Sequence, residues 1–264
     1  MIHVSIGTAG VLGLVQVPMA VEPTTAYLMI GGRCVMNCAF CAQARESRSN
    51  GNSLSRVTWP EFPLGKICNR LKRAERQGLI ERCCLQVTAG QEAYKEALRV
   101  VQRLRRSVFL PISMAILPAN SAQVAELVEA GVDKIGLGLD AACKRVFDEF
   151  KGPHWNYMVE MIESTAERFP GIASVHLMVG LGETERELVE RMLWIHDLGL
   201  SVSLFAFTPV RGTDLSDRPQ PELSQYRRMQ VARWLIVHHG ARLTSFDFDR
   251  WGGLTRIQFG DWRA

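Results

Sequence analysis

The first 32 residues contain no lysine or arginine, and the apolar stretch over residues 8–22 is broken by Gln16 and Pro18. A secretory leader opens on basic residues and continues through an unbroken apolar core, and a membrane span needs about 20 apolar residues. Neither pattern is met, so residues 1–24 are expected to form a cap segment, a strand or loop packed on a larger domain, with no membrane partner. Charge of one sign is also scarce: 31 Lys and Arg stand against 27 Asp and Glu, a net charge of +4. The densest cationic stretches, "NRLKRAERQG" and "RLRRS", read as solvated helix faces rather than a nucleic-acid groove. Seven cysteines cannot all pair, and their spacing is unlike a small secreted disulfide framework. Reduced thiols in the cytoplasm are expected. No low-complexity segment or linker interrupts the chain before the Pro-rich stretch at 211–222.

What is present is alternation. Six β-rich runs, at 25–31, 82–88, 111–116, 133–139, 173–179 and 201–207, are separated by helical patterns. Each run is nearly continuously apolar, as in parallel strands covered on both faces. The helices have readable ends. Asn120 caps "NSAQVAELVEAG" and Gly131 stops it; "ETERELVERMLWIHDLG" carries acids in its first turn; "PELSQYRRMQVARWLIVHHG" runs from Pro221 to Gly240. Repeated strand–helix units with no linker predict an α/β fold, a partial (β/α)6 TIM barrel spanning 25–240, with a strand or tail at 241–264 packed on it. In such folds chemistry gathers at the C-terminal ends of the strands.

After the first strand comes "GGRCVMNCAFCAQARES", residues 31–47, with Cys34, Cys38 and Cys41 inside eight positions. A structural zinc site needs four ligands, usually in two pairs. Here the second pair is missing, because Cys83 and Cys84 are adjacent and no histidine lies nearby in sequence. Inert thiols rarely cluster in a polar, glycine-flanked loop. A four-iron cluster on three thiolates leaves one iron open to an outside molecule. With Phe40 just before the last cysteine, this pattern resembles the radical S-adenosylmethionine (SAM) superfamily. The resemblance implies a [4Fe–4S] cluster on Cys34, Cys38 and Cys41, with the methionine amine and carboxylate of SAM on the open iron. It implies reductive cleavage to a 5′-deoxyadenosyl radical that takes hydrogen from unactivated carbon, the cofactor supplying the hard chemistry.

Three further stretches resemble the cofactor contacts of that superfamily. "HLMVGLGETE" matches the adenine stretch, with Val179, Gly180 and Glu183; "GLGLDAA" places Asp140 where an acid meets the ribose hydroxyls; "LQVTAG" places Thr88 where backbone groups receive the methionine amine. Taken singly they are weak. The glycine stretch lacks the third glycine of a dinucleotide fingerprint, and a lone Asp is more often a helix cap.

Within the superfamily the chain resembles biotin synthase and its relatives over nearly its whole length. The auxiliary cluster of biotin synthase is held by three cysteines and an arginine, and by that resemblance Cys84 and Arg242 match while Ser113 and Ser174 stand at the other two positions. "NCAFCAQARES", "LSRVTWP", "HLMVGLGETE" and "LFAFTPVRGT" resemble the split lipoyl synthase, in which two proteins jointly insert sulfur into a protein-bound octanoyl chain. This implies an octanoylated lipoyl-carrier domain, a second synthase component and a reducing protein such as ferredoxin or flavodoxin as partners, and leaves a second, auxiliary iron–sulfur cluster open. Rivals are a biotin synthase-like enzyme of another small molecule and a non-catalytic iron–sulfur carrier or scaffold.

Other residues have blander readings beside the functional one. Adjacent strand residues point to opposite faces, so only one of Cys83 and Cys84 can face the interior, and Cys84 is the expected one. Cys68 reads as a packed small hydrophobe. Lys151 and His154 meet either the cofactor carboxylate or solvent. His176 either lines the site or is a satisfied core histidine. Arg211 either reaches a substrate anion or anchors its loop, and His238 and His239 suit a helix C-terminus.

Overall fold

A computed structural model describes residues 1–258, so the last six residues of the expected C-terminal tail lie outside the described residues. The described residues form two compact units, Met1–Gly136 with Pro209–Asp217, and Leu137–Thr208 with the described chain that follows Asp217.

In the first unit, β1 (Ile2–Val4) and α1 (Ile6–Val11) precede β2 (Thr25–Ile30). Three two-residue strands follow, β3 (Ser53–Leu54), β4 (Val57–Thr58) and β5 (Glu61–Phe62), then α2 (Leu64–Arg76), β6 (Arg82–Val87), α3 (Gln91–Arg105), β7 (Ile112–Ala115) and α4 (Ser121–Glu129). Strand β8 (Lys134–Asp140) begins in this unit. Strands β2, β6, β7 and β8 are parallel neighbours in chain order, and one register row reads Tyr27–Cys84–Ser113. The N-terminal segment does more than cap: β1 pairs antiparallel with β2 on one side and β5 on the other. With only Ile2 and Val4 as apolar signal around His3, this strand is too short to be told from a loop by pattern.

In the second unit the end of β8 is followed by α5 (Lys144–Lys151), α6 (Trp155–Arg168), β9 (Ala173–Val179), α7 (Glu185–Asp197), β10 (Ser201–Ala206) and α8 (Leu223–His239). β9 and β10 are parallel in register from Ser174 opposite Ser201 to Val179 opposite Ala206, and β9 neighbours β8. The antiparallel pair β11 (Phe246–Phe248) and β12 (Leu254–Ile257) closes the described chain. The six parallel strands, in chain order and separated by helices, have the α/β arrangement expected of a partial (β/α)6 barrel.

The expectation of strands covered equally on both faces needs correcting. Along β9, Ala173, Val175, Leu177 and Val179 are fully buried, whereas Ser174, His176 and Met178 are only half-buried. β6 and β7 behave alike: Cys83, Leu85, Ile112 and Met114 are buried, and Cys84, Gln86, Ser113 and Ala115 are not. Period-two alternation therefore separates a packed face from a more polar, more open one. Helix ends follow their local chemistry. The Asn120 side chain accepts from the Gln123 N–H at 3.0 Å, Thr184 and Glu187 form a reciprocal capping box on α7, and Gly240 ends α8 in the left-handed region.

Candidate functional site

The cysteine loop follows β2 directly. Gly31 has φ +90°, and a Cβ there would collide with the Thr88 hydroxyl and lie 2.8 Å from the Ala93 Cβ, so only glycine makes this exit. Beyond it residues 31–50 form no helix or strand, and the loop is tied by side chains and isolated backbone bonds. The Arg33 guanidinium donates to the carbonyls of Ala42 and Ser49. Buried Gln43 donates at 2.7 Å to the carbonyls of both Gly51 and Ser53. The Cys34 N–H donates to the Gln43 carbonyl at 2.8 Å, and the Cys41 N–H to the Cys38 carbonyl at 3.0 Å.

All three cysteines stand outside any disulfide and are half-buried. Cys38 and Cys41 line a shallow, open hollow with Asn37, Ala39, Ala44, Ser47, Thr213 and Asp214. The Cys34 sulfur accepts from the Ala89 N–H at 3.3 Å, and the Val35 N–H donates to the Ala89 carbonyl at 3.1 Å. Among the described residues no three His, Cys, Asp or Glu side chains converge on a single metal ion. A four-iron cluster makes a different demand, since each thiolate binds its own iron. Three thiols on one loop, one already receiving a backbone N–H, fit that demand, because hydrogen bonds to the sulfurs are among the features that set a cluster's potential. Phe40 is half-buried in this loop, and Thr88 is buried, its N–H bonded to the Ile30 carbonyl at 3.1 Å.

A second feature was not foreseen from sequence. The segment 209–217 is bound to the cysteine loop from more than 150 residues away. The Arg48 N–H donates to the Gly212 carbonyl at 2.8 Å, the Ser49 hydroxyl to the Arg211 carbonyl at 2.6 Å, and the Leu215 N–H to the Ala39 carbonyl at 3.2 Å. Gly212 has φ +87°, and a Cβ there would stand 2.7 Å from the Ser49 nitrogen. The glycine in "PVRGT" was the available signal. The Arg211 side chain is exposed while its carbonyl anchors the loop.

In the second unit, Asp140 ends β8 and its carboxylate receives the Lys151 ammonium at 2.6 Å. His176 faces the half-buried side of β9, edge-on to Phe205 with ring centroids 5.3 Å apart; burial, with the nearby Lys151 charge, holds its pKa below the ordinary value against the opposing pull of Asp140. After β9, Gly180 has φ +103°, and a Cβ there would meet Pro221 at 2.9 Å. Glu183 holds this turn, one oxygen accepting from the Gly180 N–H at 2.7 Å and the other from the Leu181 N–H at 2.9 Å. Burial raises its pKa, and these N–H groups oppose the rise. The Val179 carbonyl accepts from the Phe207 N–H at 2.9 Å.

The remaining sequence-selected residues have defined surroundings. Cys84 is half-buried in β6 and its sulfur accepts from the Gln86 amide at 3.1 Å. Adjacent Cys83 is fully buried, and desolvation, with a smaller contribution from Glu75, pushes its thiol up to about 12. Cys68 is buried in α2. Ser174 and Ser203 share a hydrogen bond at 2.7 Å. Arg242 is exposed and paired with Asp197 at 2.6 Å. His238 and His239 lie beside Trp234 at the end of α8. Among the described residues no helix is long and apolar enough to cross a membrane.

Comparison with known proteins agrees with this arrangement. The chain is 29% identical over 219 residues to a biotin synthase of Pelotomaculum thermopropionicum, an alignment covering 80% of this chain and 64% of that protein. It is 30% identical over 214 residues to a biotin synthase of Desulforudis audaxviator, covering 78% and 62%. It thus spans a little under two thirds of the length of these relatives. Among solved structures, the [FeFe]-hydrogenase maturase HydG of Carboxydothermus hydrogenoformans aligns with TM-score 0.61 at 17% identity, covering 81% of this chain and 51% of that one. Methylornithine synthase (PylB) aligns with TM-score 0.61 at 12% identity, covering 79% and 62%. At these identities the likeness is one of fold. The model of the radical SAM superfamily matches residues 28–195, well over half the chain, a span that contains the three loop cysteines, Asp140 and the Gly180 turn. The chain belongs to the radical SAM superfamily, whose members use a [4Fe–4S] cluster and S-adenosylmethionine.

Proposed function

We propose that this radical SAM protein inserts sulfur into an aliphatic C–H bond as one component of a two-protein lipoyl synthase. The observation that carries the proposal is the half-open row on β2, β6 and β7, where Cys84 stands between Tyr27 and Ser113 beside the Gln86 amide. The relationship to biotin synthases supports sulfur chemistry in general. Against a biotin-type auxiliary cluster, hydroxyls occupy 113 and 174, the latter bonded to Ser203, and Arg242 would have to leave Asp197 to act as a ligand. With one ligand position of four holding an uncommitted thiol, a sulfur route shared with a second component fits this chain better than a self-contained one.

In this proposal Cys34, Cys38 and Cys41 hold the cluster, and the bound cofactor supplies the radical that removes hydrogen from the substrate carbon. The chain's own residues bind and orient. The N–H groups around Thr88 and Ala89 lie next to the cysteine loop, the Gly180 turn held by Glu183 receives the adenine, and Asp140 accepts from the ribose hydroxyls. Cys84 is the thiol nearest to sulfur transfer. The partners are an octanoylated lipoyl-carrier domain, the second synthase component and a ferredoxin or flavodoxin, in the cytoplasm.

The test uses anaerobically reconstituted protein, the second component, reductant, SAM and an octanoyl-lysine peptide deuterated along the chain. Deuterium is expected in 5′-deoxyadenosine. If none transfers while cofactor cleavage is stimulated by a different small molecule, the biotin synthase-like alternative replaces the lipoyl one. A cluster indifferent to SAM would instead favour a carrier or scaffold.

A further inference from the structure

The second unit contains a buried ion pair whose acid is the proposed ribose contact. Asp140 and Ser55 are the non-glycine residues with positive φ among the described residues, and Asp140, at φ +63°, closes strand β8. Left-handed backbone at a non-glycine residue persists only where its surroundings fix it. Here the fixing group is Lys151, the last residue of α5. Its side chain is only 8% exposed, and its ammonium donates to Asp140 Oδ2 at 2.6 Å and to the Gly138 carbonyl, above the Phe147 ring at 5.2 Å. An ammonium so deeply placed is tolerated because it is paired and hydrogen-bonded.

The carboxylate is used asymmetrically. Oδ2 takes the lysine, whereas Oδ1 accepts no hydrogen bond among the described residues. Gly138 keeps the approach open, since a Cβ there would press to 3.3 Å from Oδ2 and 3.6 Å from Oδ1. An ionised carboxylate with one oxygen held by a fixed cation and the other free is a directed acceptor.

We propose that Lys151 is a positioning residue, holding Asp140 so that Oδ1 faces the vicinal diol of the nucleoside ligand. This rests on the assignment of Asp140 as the ribose acceptor. Lys151 acts through Asp140 and does not touch the ligand. Without it the carboxylate regains rotation about its side-chain bonds, and the left-handed turn loses its tie.

The experiment is calorimetric titration of the cluster-loaded full chain with S-adenosylhomocysteine and with an analogue lacking both ribose hydroxyls. Lys151→Met is expected to weaken S-adenosylhomocysteine about tenfold, the scale of a charged hydrogen bond, and to leave the analogue nearly unchanged. Asp140→Asn should show the same selective loss, the double variant should lose no more than Asp140→Asn alone, and Lys151→Arg should recover most of the affinity. Where methionine is not accommodated, as judged by thermal melts, Lys151→Gln and Lys151→Arg carry the same comparison. A selective loss at Asp140→Asn with none at Lys151→Met would overturn the positioning role. Equal losses on both ligands, additive with Asp140→Asn, would also overturn it, because Lys151 would then meet the ligand at its amino-acid carboxylate. If wild type does not distinguish the two ligands and Asp140→Asn is silent, the ribose assignment itself fails.

Discussion

Cys83 and Cys84 differ by one position and by nearly everything else. One thiol is sealed in the packed face and pushed up to about 12, and the other stands half-open beside an amide and a hydroxyl. The thiolate is the reactive form. Brief alkylation of the anaerobic, cluster-free protein at pH 8, read by peptide mass spectrometry, is therefore expected to modify Cys84 and leave Cys83 intact; equal labelling would show that the two faces of β6 are not separated as described. Glu183 yields a second residue-scale expectation. Its folded pKa is raised above the ordinary value of 4.5, so its protonated form is favoured by folding. Its contribution is thus fully present below pH 4.5 and is lost as pH rises through the folded pKa. Glu183→Gln keeps the shape but weakens one of two bonds to buried N–H groups, which should cost about 1–2 kcal/mol near pH 4 and less at pH 8. Denaturant unfolding of both proteins at the two pH values measures the gap, and a gap that widens with pH contradicts the sign. Strand alternation made the Cys83 and Cys84 difference legible in sequence. The use of both Glu183 oxygens on a turn was not, because that depends on where the consecutive N–H groups of Gly180 and Leu181 point.

At the scale of elements, the six parallel strands and the ends of α4, α7 and α8 were readable because each carries a local signal: apolar runs between glycines, Asn120, an acidic first turn and Gly240. The elements left open or missed have signals that are short or non-local. β1 has three residues and β3, β4 and β5 two each, and their pairing is decided by partners far along the chain. The tie between the cysteine loop and residues 211–215 is the functional case. No local pattern predicts that Gly212 lies against the backbone of Arg48 and Ser49. Gly212→Ala would put a Cβ at φ +87°, 2.7 Å from a backbone nitrogen that cannot rotate away. The loop must then shift, and with it the hollow that Thr213 and Asp214 share with Cys38 and Cys41. Iron bound after anaerobic reconstitution should fall about twofold or more, while far-UV circular dichroism stays that of the wild type. Full iron loading in the variant would mean that the tie does not govern the cluster loop.

The thiols of the whole molecule bound what it can do alone. Cys68 and Cys83 are buried, Cys143 stands at the start of α5 with its thiol pushed up by desolvation, and on the proposed function the three loop cysteines are taken up by one cluster. Cys84 is left, beside Ser113, where the resemblance to biotin synthase would imply a second thiol. One thiolate is a poor holder for a second cluster, whose irons need several soft ligands. Reconstituted protein is accordingly expected to bind about four irons per chain, and the Cys34/Cys38/Cys41 triple alanine variant essentially none, by iron and sulfide analysis with Mössbauer spectra. On the proposed function this places the sulfur source outside the chain. The chain with SAM and reductant should cleave the cofactor without thiolating an octanoyl peptide, and addition of the second component should bring thiolation. Iron retained by the triple variant would reverse the argument: a second cluster would then be held within this chain, Cys84→Ser would be the substitution that removes it, and the need for a partner as sulfur donor would disappear.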